Sequence, residues 1–327
     1  MRVTVLGAGS WGTALALHLG RGGHDVVLWS RDPAVAEHIQ STRRHLRRFA
    51  NSALPASVRA TANLPEALDY ADTALVAVPC ASFRPLFESM PREMAARRFV
   101  SVAKGIEPDT LSRMTSIILE YRPGADVAAL SGPTFAEGVA RGDPSAAVIA
   151  DAGGGLAQEL QGQFSDGRLR LYSSRDLVGV ELAGALKNVV AIAAGVVSGL
   201  GFGPNTVAAL VTRGLAELGR IVRARGGEAR TVAGLAGVGD LMLTCTGRES
   251  RNRRVGEEIG RGGRLSEILL RMPEVAEGAR TCLAVPRMAA EAGMESPIAD
   301  AVVQVLYQDV PPGEAVERLM TRTLRSE

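Results

Sequence analysis

The chain has 327 residues, 46% of them hydrophobic and 22% charged, with a formal net charge of +2. That is too long for one typical domain and apolar enough for a packed core, and the near-neutral charge points to neither nucleic acid nor a membrane surface as partner. The three cysteines, Cys80, Cys245 and Cys282, are odd in number and far apart, a poor disulfide framework and a poor metal site that suits a reducing cytosol.

Residues 3–6 (Val-Thr-Val-Leu) read as a short buried strand, and the glycines that follow at once leave no room for a signal peptide. Next comes Gly7-Ala8-Gly9-Ser10-Trp11-Gly12, then a helical pattern over 13–20 closed by Gly22-Gly23, then a second strand over 25–30. A glycine triplet between a strand and a helix, inside a βαβ unit, is the context that dinucleotide binding requires. Gly7 permits the tight turn, Gly9 admits a pyrophosphate to the backbone, and Gly12 lets helix and strand pack closely. The free N–H groups and positive dipole end of the helix then face the phosphates.

The end of the second strand decides between nicotinamide cofactors. Ser30-Arg31 stands where NAD sites usually place a carboxylate, which favours NADP through Arg31, while Asp32 one step later leaves NAD open. Arg48 is a second candidate for that phosphate, within a cluster of Arg43, Arg44, Arg47 and Arg48 that otherwise reads as a solvated face.

Further apolar runs at 73–78, 99–103, 127–130, 146–150 and 169–172 alternate with helical or turn-rich connections, as in a doubly wound α/β sheet. Near residue 175 the character changes, and helical stretches over 177–198, 206–224 and 251–259 dominate to the end. The expected organisation is a Rossmann-type dinucleotide domain over 1–175 and an all-helical domain over 176–327 that carries substrate and chemistry. The most apolar later stretch, 189–197, is too short to span a bilayer.

All four histidines lie within the first 45 residues, so a base supplied by the later part of the chain is not histidine. Of 37 basic residues only Lys104 and Lys187 are lysine, a residue that, unlike arginine, gives up its proton near neutral pH when desolvated. Lys187 sits among small and apolar residues on every side of its helix, beside Asn188, so burial should lower its pKa; a structural buried salt bridge is the alternative. Asp240, after Gly237-Val238-Gly239, is an available carboxylate to orient that lysine, or else a helix N-cap. Ser250, Arg251 and Asn252 at a helix start combine a guanidinium with side-chain and main-chain donors, a phosphate cradle, whereas Arg253 and Arg254 read as solvated. Lys104 and the loop Ser131-Gly132-Pro133-Thr134-Phe135-Ala136 follow strand ends, where open α/β sheets bind ligands. Neither lysine has a tyrosine four residues earlier (Val100 and Ala183 stand there), which argues against short-chain dehydrogenase chemistry.

These residues closely resemble the bacterial NAD(P)-dependent glycerol-3-phosphate dehydrogenases over nearly the whole chain. The likeness is carried by the blocks at 7–14, 104–107, 131–136, 186–190, 201–203, 212–217, 239–241, 243–246, 250–254 and 275–278. It implies that Lys187 is the proton acceptor and that Lys104, Gly132, Thr134, Asp240, Ser250, Arg251 and Asn252 contact substrate. It further implies that Ser10, Trp11, Arg31, Arg48, Lys104, Ala136, Arg251, Val275 and Glu277 contact the cofactor, NADP or NAD. A cytoplasmic homodimer supplying the backbone of glycerophospholipids is the family's usual form. The likeness fails over residues 46–52, where an Asn…Tyr-Leu-Pro-Gly-like segment is expected and Leu46-Arg47-Arg48-Phe49 begins the stretch instead.

The expected reaction passes hydride between the nicotinamide and C2 of dihydroxyacetone phosphate. Lys187 trades the proton, Asp240 and Asn188 orient it, Lys104 polarises the carbonyl, and Arg251 with Asn252 grips the phosphate. A 3-hydroxyacid or ketopantoate type reductase is the rival enzyme and a non-catalytic NAD(P) sensor the rival of another class; a requirement for a phosphate ester separates the first, and intact lysines argue against the second.

Overall fold

The computed structural model describes residues 1–49, 52–272 and 276–323. Eight strands form one sheet: β1 (Arg2–Leu6), β2 (Asp25–Trp29), β3 (Val58–Thr61), β4 (Thr73–Val76), β5 (Arg98–Ser101), β6 (Asp126–Ser131), β7 (Ser145–Ala150) and β8 (Leu169–Ser174). Their order is β3-β2-β1-β4-β5-β6-β7-β8, so the winding reverses between β1 and β4, the place where such sheets bind nucleotides. Neighbours are parallel except β6 and β7, which run antiparallel.

Both faces of the sheet are covered, which is why its strands are apolar at successive positions rather than alternate ones. Val3, Val5, Val26 and Leu28 enter one core, and Leu6, Val27, Trp29, Ala74 and Val76 the other. The strand β3 is absent from the expected series because Val58-Arg59-Ala60-Thr61 is short, half polar and at the sheet edge. The run at 73–78 ends as strand at Val76, ahead of Pro79.

By contact, the chain divides into Met1–Ala103 with Arg113–Val180, which holds the sheet, and Lys104–Ser112 with Glu181–Glu327, which is helical. A single cut after residue 175 leaves Lys104 with the sheet, whereas its contacts put it with the helices.

In the helical unit the apolar stretch at 189–197 proves to be part of a longer helix, Leu177–Gly199. Its 23 residues and a mean hydropathy of 1.7 over an 18-residue window match a membrane span by length and composition, but that window is entirely buried inside the protein. It packs backbone to backbone on the helix Arg251–Gly260. A methyl group at Gly195 would overlap the carbonyl oxygen of Arg253, and one at Gly256 would overlap that of Ile192. Glu217, buried on the helix Pro204–Ala224, accepts the N–H groups of Ile298 and Ala299 at 3.0 Å each and so caps the helix Pro297–Tyr307.

Candidate active site

Within the sheet unit, the turn after β1 is shaped by two steric demands. Gly7 has φ +116°, and a Cβ there would stand 2.7 Å from the carbonyl oxygen of Ala77; a Cβ on Gly12 would overlap the carbonyl oxygen of Gly7. Gly9, by contrast, has nothing within 4 Å of a notional Cβ, which leaves open space at the start of the helix Ser10–Arg21. That helix has no side-chain cap and no acidic residue in its first turn, so its dipole favours an anion at that end. Three buried polar atoms at the same edge of the sheet have no hydrogen-bond partner among the described residues: Trp11 Nε1 in the first turn of that helix, Ser101 Oγ at the end of β5 and Ser131 Oγ at the end of β6. Buried groups left unpaired are uncommon in folded proteins, and these lie at the strand ends where doubly wound sheets take a dinucleotide. The residues fit the cofactor.

Ser10 opens the helix Ser10–Arg21 and Ala136 the helix Ala136–Arg141. Gly132 and Thr134 lie in the loop after β6, where Thr134 donates both its N–H (2.8 Å) and its hydroxyl (3.2 Å) to the Gly132 carbonyl. Arg31 is exposed at the end of β2 and Arg48 is half-buried. Val275 lies outside the described residues.

The helical unit gathers the other set. Lys187 and Asp240 are 4% and 2% exposed. Asp240 begins the helix Asp240–Thr246, so it is not that helix's N-cap; its carboxylate bridges two amines instead. Oδ1 is 2.8 Å from Lys187 Nζ and Oδ2 is 2.7 Å from Lys104 Nζ. Thr244, one helical turn after Asp240, accepts from Lys187 Nζ at 2.6 Å and donates to the Asp240 carbonyl at 2.6 Å. No role for Thr244 was expected from the sequence, although its spacing of four from Asp240 on a helix is the signal that places both on one face.

Burial drives the Lys187 pKa down to about 8, from 10.5 for a solvated lysine; the Asp240 carboxylate resists that fall and the Lys104 charge adds to it. The same burial, with Asp240 nearby, pushes the Cys245 thiol up to about 12, so it stays protonated and unreactive beside the amine.

Asn188 does not orient Lys187, contrary to expectation. Its Nδ2 donates to the main-chain carbonyl of Lys104 at 2.9 Å, and its Oδ1 accepts from Asn252 Nδ2 at 2.9 Å. Asn252 Oδ1 in turn accepts the Gly278 N–H at 2.9 Å, next to Glu277 at the start of the helix Glu277–Thr281. The two amides thus run as a ladder from Lys104 to Gly278, because successive residues on a helix point in different directions and Lys187 and Asn188 serve different neighbours. Ser250 caps the helix Arg251–Gly260 by accepting the Arg253 N–H at 3.2 Å, and Arg251 is exposed at that helix's first position. Arg253, which the sequence reads as solvated, is part-buried, at 21% side-chain exposure, because it pairs with Glu257 at 2.6 Å one turn on; Arg254, 60% exposed, is the solvated one.

A doubly wound sheet with an open glycine turn, and a buried lysine whose proton is mobile near neutrality, define a nicotinamide-dependent oxidoreductase. The family described as NAD-dependent glycerol-3-phosphate dehydrogenase matches its N-terminal part to residues 2–154 and its C-terminal part to residues 176–317. The chain belongs to that family. It is 47% identical to a protein of Koribacter versatilis named glycerol-3-phosphate dehydrogenase [NAD(P)+], over all of this chain and 98% of the relative. A protein of the same name from Thermoanaerobacter sp. is 45% identical, over all of this chain and 99% of its own length. Among solved structures, glycerol-3-phosphate dehydrogenase from Coxiella burnetii superposes with a TM-score of 0.93 at 35% identity, covering 98% of this chain and 99% of the other.

Proposed function

We infer that the chain interconverts dihydroxyacetone phosphate and sn-glycerol 3-phosphate with NAD or NADP, and that Lys187 is the group that trades the proton. The observation that carries the assignment of Lys187 is a buried amine, pKa about 8, anchored by Asp240 and Thr244. When bound, the reduced cofactor supplies a hydride to C2 of the substrate. In that direction Lys187 as ammonium protonates the oxygen on C2; in the reverse direction its neutral amine takes the hydroxyl proton. Two of the ammonium's three N–H bonds are held by Asp240 Oδ1 and Thr244 Oγ1, which leaves one to exchange. At pH 7 a pKa of about 8 keeps roughly nine in ten of these amines protonated, which suits reduction.

Lys104 shares the Asp240 carboxylate, and its charge lowers the proton affinity of Lys187 while adding a cation for the developing alkoxide. The exposed Arg251 and the N–H groups of its helix supply the phosphate grip, so binding energy remote from C2 positions the reacting carbon. Ser250 and Asn252 support that grip mainly by fixing the helix start. Gly132 and Thr134 are retained as further substrate contacts, and Glu277 and Val275 with the turn residues as cofactor contacts. The spent carboxylate of Asp32, which caps the next helix, favours NADP at Arg31. A cytoplasmic homodimer that feeds glycerophospholipid synthesis belongs to the same reading; its three buried free thiols suit a reducing compartment, and light scattering measures the oligomer.

The test is NADPH oxidation followed at 340 nm on the order of minutes, with dihydroxyacetone phosphate and with ketopantoate. Oxidation with the phosphate ester and none with ketopantoate is expected. Turnover of ketopantoate alone, or of neither, overturns the reading.

A further inference from the structure

The end of β2 carries more positive charge than Arg31 alone. Asp32 follows it, and its Oδ1 accepts the Ala34 N–H at 3.0 Å, capping the helix Pro33–Thr42. The other carboxylate oxygen of Asp32 lies 3.7 Å from Arg47 Nη2. Arg47 therefore reaches the same strand end as Arg31, with its side chain 68% exposed and open to a ligand.

What brings Arg47 there is His45. The imidazole is buried, its Nε2 donates to the carbonyl of Ala8 in the glycine turn at 2.8 Å, and its Nδ1 accepts the main-chain N–H of Arg47 at 3.0 Å. Because Nδ1 accepts, the single ring proton sits on Nε2 and the ring is neutral. Burial, opposed by the hydrogen bond to the Ala8 carbonyl and reinforced by the Arg48 and Arg47 charges, holds its pKa below the usual histidine range, which keeps it so. One neutral ring thus ties the pyrophosphate turn to the arginine. Arg43 is committed elsewhere, since Nε and Nη2 both donate to the Leu54 carbonyl at 3.2 and 3.1 Å.

We propose that Arg47 is a specificity-determining residue that binds the 2′-phosphate of NADP together with Arg31, and that His45 is its positioning residue. A phosphate monoester offers a guanidinium two or three charged acceptors, whereas the ribose 2′-hydroxyl of NAD offers none. The carboxylate that would hold that hydroxyl in an NAD site is here spent on a helix end and on Arg47. The proposal rests on the reading of the cofactor as NAD or NADP.

Calorimetric titration of the full-length protein with adenosine 2′,5′-bisphosphate and with 5′-AMP isolates the 2′-phosphate. Arg47→Ala is expected to weaken the bisphosphate about tenfold and to move 5′-AMP less than about twofold. His45→Ala should narrow the same ratio, and His45→Asn, whose amide also donates and accepts, should recover part of it. In steady state these variants raise the KM for NADPH and keep kcat. Equal weakening of both probes by Arg47→Ala, or loss of discrimination in Arg48→Ala but not in Arg47→Ala, overturns the assignment of Arg47. An unchanged ratio in His45→Ala overturns the role of His45. Wild-type protein that binds neither probe overturns the cofactor reading, and the proposal with it.

Discussion

In the sheet unit the proposed ligand site is made of main chain, an uncapped helix start and a turn kept clear of side chains at Gly9, whereas in the helical unit it is made of side chains drawn out of water around Asp240. The first kind of site fails when an atom is added and the second when one is removed. At Gly7 and Gly12, which already touch backbone, the turn cannot accept a methyl group, but it holds no proton and should be indifferent to pH. The lysine cluster depends for its chemistry on burial and on each charge within a few ångströms.

The largest expected effect comes from Lys187→Met. It should leave NADPH affinity intact, since the cofactor turn belongs to the other unit, and lower kcat by about a thousandfold or more. Stopped-flow turnover with calorimetric cofactor binding checks both halves, and near-normal turnover removes Lys187 from the mechanism. Next is Asp240→Asn, which should cost about a hundredfold in kcat by releasing both amines. It should also move the pH midpoint. Glycerol 3-phosphate oxidation needs the neutral amine, so the wild-type rate rises with pH through about 8; without the carboxylate that sustains the ammonium, the midpoint should fall below 8. Lys104→Met should move it the other way, because the Lys104 charge depresses the Lys187 pKa. A midpoint that moves in the same direction in both variants breaks the account of the cluster.

Additions to the turn should act on binding and folding, not on the proton. Gly12→Ala places a methyl against the Gly7 carbonyl and should cost about 3 kcal/mol by overpacking, read as a lower midpoint in urea denaturation. Gly9→Ala meets open space at φ −74° and should fold normally, with an NADPH KM raised about tenfold. The smallest change is Glu217→Gln. It presents an NH2 group to one of the two N–H donors it now accepts and should cost about 1–2 kcal/mol in thermal stability with kcat unaltered.

Local chemistry was legible in the sequence, and long-range pairing was not. The strand–glycine–helix order announces the nucleotide turn because Gly7 and Gly12 answer steric demands from Ala77 and from the turn itself, while Gly9 keeps its space clear. The buried state of Lys187 follows from its apolar neighbours within one helix. What Lys104 touches does not follow, since the carboxylate it shares lies more than a hundred residues away along the chain. The amide ladder of Asn188 and Asn252 is hidden for the same reason, and an asparagine in a helix carries no mark of its partner. The antiparallel β7 also escapes, because a strand buried on both faces reads alike in either direction.

The bare backbone contact between the helices Leu177–Gly199 and Arg251–Gly260 has a mechanical consequence. With carbonyl oxygens filling the space of missing methyl groups at Gly195 and Gly256, no side chain cushions the two helices at those points. The amine on one and the guanidinium at the tip of the other must then travel as a single lever. The spacing between Lys187 and the start of the helix Arg251–Gly260 is expected to stay constant whatever else flexes.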